Sequence, residues 1–139
     1  MVTREDLESY LLRMEDLEAE ELEEGMYLVR DRTGGPPVVV NYSAPLLLLR
    51  MKVMDLPEAS ASDADLFRTL LELNASDLVH GAYGLEDREL ILSDTLELET
   101  LDFHELQASL ESMQMAATGH MERIRSLAGV AAGSTGGVS

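Results

Sequence analysis

At 139 residues the chain has the size of one domain with a modest core, and its 10 Lys and Arg against 27 Asp and Glu leave a formal net charge of −17. That sign repels phosphate backbones and anionic headgroups, which argues against nucleic acid or a membrane surface as a direct partner. The absence of cysteine excludes disulfides, thiolate metal sites and thiol catalysis.

The stretch from Met1 to Leu12 is charged within its first few residues and has no apolar core of signal-peptide length, and no apolar run reaches 18 residues. These features predict a cytoplasmic chain, in which the Asn-x-Ser triplets at Asn41 and Asn74 are coincidental. Residues 1–24 hold ten acids and two arginines around Leu7, Leu11, Met14 and Leu17, a spacing that predicts an amphipathic helix with a solvated acidic face. Thr3 is its expected N-cap, with Asp6 three residues on.

From Gly25 the period shortens. Met26–Arg30 and Val38–Tyr42, separated by Asp31-Arg32-Thr33-Gly34-Gly35 and two prolines, read as a hairpin. The third run, Leu46–Met54, splits by parity. Leu47, Leu49, Met51 and Val53 form a wholly apolar face, whereas Leu46, Leu48, Arg50, Lys52 and Met54 form a mixed one that suits a half-exposed sheet surface. After a loop, Ser62 and Asp65 restart a helix carrying Phe67, Leu70, Leu71 and Asn74. Two strands follow, Leu78–Leu85 and Glu89–Leu98, and Gly81 and Gly84 in the first are expected where backbone or a helix approaches closely.

The final helix opens on Asp102 and Glu105 in capping register. Phe103, Leu106, Leu110, Met113, Ala117, His120, Ile124 and Leu127 recur at spacings of three and four, a heptad-like seam that suits either the helix's own sheet or the same helix of a second copy. The expected organisation is one domain over 1–127 and a disordered Gly/Ala/Ser tail over 128–139.

Chemistry is not signalled. His80, His104 and His120 lack zinc-ligand spacing, Asp63 and Asp65 lack the rest of a calcium loop, and no serine sits in a nucleophile elbow. No cofactor and no catalytic or metal-binding residue is expected. Asp94, in the apolar parity of its strand with Leu90, Leu92, Leu96 and Leu98, is the oddest carboxylate and is expected to make a structural hydrogen bond.

The predicted fold is α+β, ordered helix–β–β–β–helix–β–β–helix, with an antiparallel sheet. That order, with Leu70-Leu71-Glu72-Leu73-Asn74, His80-Gly81-Ala82-Tyr83-Gly84-Leu85, Leu96 to Asp102 and Glu105-Leu106, resembles the class I type III secretion chaperones of the CesT kind, and locally the related YbjN proteins. The resemblance implies a homodimer that binds a client polypeptide without ATP and has no catalytic motif. On this reading Phe103, Leu106, Leu110, Met113 and Ala117 form the dimer interface. Leu7, Leu11, Met14, Leu46, Leu48 and Met54 meet the client, whose identity the sequence does not give. A regulatory protein docking on one folded partner in stress or envelope signalling is the alternative.

Overall fold

The computed structural model describes residues 1–130. Three helices, α1 (Arg4–Leu12), α2 (Asp63–Ser76) and α3 (Phe103–Ala128), pack with six strands: β1 (Leu17–Glu23), β2 (Met26–Asp31), β3 (Val38–Ser43), β4 (Leu46–Asp55), β5 (Ala82–Glu86) and β6 (Glu89–Glu97). The strands form one antiparallel sheet in the order β1-β2-β3-β4-β6-β5.

Local chemistry explains the helix starts. Thr3 and Asp6 form a reciprocal capping box, at 3.1 and 3.0 Å, and Asp102 Oδ1 accepts from the Glu105 amide at 2.7 Å. Ser62 differs from expectation. It makes no cap bond and pairs instead with the Ser60 hydroxyl, while Asp63 takes the Arg88 guanidinium at 3.1 Å. At the far end of α3, Gly129 adopts φ 78° and Ala128 and Val130 still touch the core, so the ordered unit runs past 127. The remainder of the expected tail lies outside the described residues.

The segment after α1 is the main departure from the periodicity. The helix ends at Leu12, and Leu17–Glu23, a run of good helix formers, is a sixth strand paired along β2 from Leu17 opposite Asp31 to Glu23 opposite Met26. Nearly every β1 side chain is exposed, so burial did not select the strand. Its backbone is held by β2 through a turn at Gly25, whose φ of 82° favours glycine.

One face of the sheet carries Tyr27 and Val29, Val38 and Val40, Leu47, Leu49 and Met51, Leu90, Leu92 and Leu96, and Tyr83, all buried in a single core cluster with residues from all three helices. Three groups of the expected contact residues are spent here. Leu7, Leu11 and Met14 are buried beneath α1 and its C-terminal turn, which removes them from a client. Leu106, Leu110, Met113 and Ala117 are at most 1% exposed, so the α3 seam packs on its own sheet and cannot also face a second copy. Phe103 is half-buried, edge-on to Tyr10 with the Arg13 guanidinium 3.9 Å over its ring. Met54 is also core: an irregularity between Lys52 and Met54 breaks the alternation and turns Met54 inward opposite Leu90.

Gly81 shows why glycine stands before β5. Its φ is 87°, and a Cβ there would lie 2.9 Å from the Ser93 carbonyl oxygen.

Candidate protein-binding surfaces

Alternation along each strand puts a second set of side chains on the opposite face of the sheet, where none joins the core cluster. Cross-strand register aligns Leu28, Val39, Arg50, Ser93 and Ala82 in one row, and Met26, Asn41, Leu48 and Thr95 in the next. Met26, Leu28, Val39 and Leu48 are half-buried, Leu46 is exposed at 36%, and Ile91 is buried. Leu46 and Leu48 are therefore the two members of the expected client surface that the fold leaves available.

The two cations of β4 on this face, Arg50 and Lys52, are already paired. Arg50 donates to both carboxylate oxygens of Glu86, one contact at 2.6 Å, and this pairing holds the Glu86 carboxyl below its ordinary range. Lys52 lies 2.9 Å from Asp55 and 3.7 Å from Glu89. The face is an apolar centre bordered by charge, and at the β1 edge Glu18 lies 3.9 Å from Arg32 while Glu20 stands opposite Leu28.

A second apolar surface lies on α2, where Ala64, Phe67, Leu71 and Ala75 share one side of the helix and Leu71 is 68% exposed. Sequence reading placed Leu71 on the helix stripe. Only the packing shows that Leu66, Leu70 and Leu73 take the core and leave Leu71 outside.

The two sheet edges differ. On β5, the Asn74 side chain accepts from the Tyr83 amide at 2.7 Å and donates to the Tyr83 carbonyl at 3.1 Å, capping that edge as a strand would. Among the described residues the β1 edge has no such cover.

The histidines are dispersed. His120 bridges the Tyr83 hydroxyl at 2.7 Å and Asp77 Oδ2 at 2.5 Å, His80 lies 3.5 Å from the Ser109 hydroxyl, and His104 is exposed beside Phe103. Burial pushes the Tyr83 phenol up to about 12, with Asp77 adding to the effect. Asp94 accepts from the Thr95 amide at 3.0 Å through Oδ1, and its buried Oδ2 has no hydrogen-bond partner. Among the described residues no three His, Asp or Glu side chains cluster as a metal site, and no helix is long and apolar enough to cross a membrane.

The fold is thus an α+β sheet with helices on one face and two apolar surfaces that none of the described elements covers. The chain belongs to the CesT_Tir_1 family, whose sequence profile matches residues 2–129. Among solved structures it is similar to a chain of the heterodimeric ExoU–SpcU complex from the type III secretion system of Pseudomonas aeruginosa. That match has 16% identity and a TM-score of 0.64, and covers 86% of this chain and 94% of that one. It is also similar to a chain of the HopA1–SchA chaperone–effector complex, at 16% identity and a TM-score of 0.54, covering 80% and 84%. At this identity the likeness establishes the fold. No curated protein sequence matches the chain.

Proposed function

We propose that this protein is a non-catalytic chaperone or adaptor that binds a client polypeptide in the cytoplasm without ATP, acting as a homodimer. The observation that carries this reading is the open sheet face, where Met26, Leu28, Val39, Leu46 and Leu48 form an apolar strip that none of the described residues covers. Such a strip costs solubility unless a partner occupies it. Membership of the CesT_Tir_1 family, and similarity to chains from two type III secretion complexes, one of them described as chaperone–effector, support a polypeptide as that partner. The short motifs around Asn74 and His80 to Leu85 support a relation to the YbjN proteins as part of this reading.

With the α3 seam buried, the dimer contact we assign is the outer side of α2, centred on Phe67 and Leu71. Arg68 and Glu72, an ion pair at 3.3 Å on the same stretch, can exchange partners across a two-fold axis.

The test is affinity capture from the native cell followed by reconstitution with the captured protein. The client segment should be disordered alone, become ordered on binding, and be lost from the folded Leu48→Asp variant. A partner that binds only as a folded domain would replace the chaperone reading with the regulatory one. Undiminished binding by Leu48→Asp would remove the open face as the site.

A further inference from the structure

On the helical side of the sheet, the α1–β1 turn, the β2–β3 hairpin and the middle of α3 border an open groove of about 650 Å3, within the roughly 300–1,000 Å3 of ligand sites. Glu15, Asp16, Asp31 and Glu111 converge on it from three elements, and no Lys or Arg lines it. None of these four carboxylates takes part in an ion pair among the described residues. Its apolar part is unusual for a surface: Met115 is 75% exposed, beside half-buried Leu17.

Gln114 supplies an observation independent of the acids. It lines the groove at only 6% exposure, its Nε2 donates to the Pro36 carbonyl at 3.2 Å, and its Oε1 accepts from nothing. A buried acceptor without a donor is a position that an incoming N–H group completes.

We propose that this groove receives an arginine side chain of the client polypeptide, with an adjacent apolar client residue resting on Met115 and Leu17. The proposal rests on the client-binding reading and assigns it a second subsite, on the face of the sheet opposite the open one. Guanidinium fits better than ammonium because its five donors in a planar fork can serve several carboxylates and the Gln114 oxygen together. A second copy is the wrong occupant, since it brings the same net charge of −17 to an acidic surface. Residues 131–139 contain no cation.

The test uses the full 15N-labelled chain and two disordered twelve-residue peptides of Gly and Ser around a central Leu-Arg-Leu, one carrying citrulline in place of arginine. The arginine peptide should bind at least ten-fold more tightly at about 50 mM salt, lose most of that advantage at about 0.5 M, and shift the amides of residues 14–17, 31–35 and 107–119. Combining Glu15→Gln with Glu111→Gln, both exposed, should reduce its affinity to the citrulline level, whereas Glu122→Gln on the same helix should not. Equal binding of the two peptides, or shifts confined to the Leu28–Val39–Leu48 face, overturns the groove while leaving the client-binding reading intact. Absence of binding by both at millimolar concentration also overturns the groove, and the capture experiment then judges the broader reading separately.

Discussion

Two adjacent residues decide which face of the sheet is closed. Leu49 is 1% exposed in the core and stands opposite Asp94, whereas Leu48 is half-buried on the open face between Asn41 and Thr95. Leu49→Asp forfeits about 1.5–3 kcal/mol of side-chain burial and places a carboxylate in an apolar interior beside another acid, a further cost of several kcal/mol. Against a total stability of about 5–15 kcal/mol, that variant should be largely unfolded at 25 °C. Leu48→Asp gives up only part of its burial and gains polar cross-strand neighbours, for a cost on the order of 1 kcal/mol and a fall in Tm of about 3–6 °C. Far-UV circular dichroism through a thermal melt reads both. If Leu48→Asp unfolds like Leu49→Asp, the second face is core and the proposed client surface does not exist. If Leu49→Asp melts like the parent, the assignment of faces is reversed.

Leu71→Glu should leave the fold intact, because the residue is 68% exposed, and should convert a particle of twice the chain mass to a monomer in light scattering on a size-exclusion column. A parent chain that is already monomeric at high micromolar concentration refutes the α2 interface. Tyr83 has its folded pKa raised from 10.0 to about 12, so its contribution is fully present below pH 10 and is lost as pH rises through 12. Tyr83 should therefore contribute about 2–3 kcal/mol to a decline across that window, to which the Tyr27 phenol, raised by burial and by Glu8, also contributes, and Tyr83→Phe should lessen the decline in alkaline denaturation curves without abolishing it. Gly81→Ala combines a positive φ with a 2.9 Å approach to the Ser93 carbonyl and should cost at least about 1 kcal/mol. Gly119→Ala, exposed within α3 with nothing within 4 Å of the new Cβ, should gain roughly 0.5–1 kcal/mol in urea denaturation.

Much of the fold was legible because its signals are local. The capping residues Thr3 and Asp102, the two-fold alternation of Leu46–Lys52 and the spacing along α3 each depend on neighbours a few positions away. The candidate site was legible only in part: the mixed parity of β4 identified Leu46 and Leu48, and the same parity misassigned Met54, because the irregularity after Lys52 is a property of pairing with β6. Gln114 and Met115 in the groove gave no sequence signal, since each becomes distinctive only beside Pro36, Leu17 and Asp31, which come from distant elements.

The amino-acid sequence by itself determined the α+β composition, the net acidity, and which face of most elements is apolar, since side-chain period and charge are carried residue by residue. Tertiary structure alone decided which apolar faces meet one another. Leu17–Glu23 became a strand because β2 offered an edge, Leu7, Leu11 and Met14 were consumed beneath α1, and the α3 seam closed on its own sheet. Burial is a relation between segments far apart in the chain, so an apolar stripe announces that it will be covered without saying by what; here the sheet face around Leu48 and the side of α2 around Leu71 are left open by the described residues.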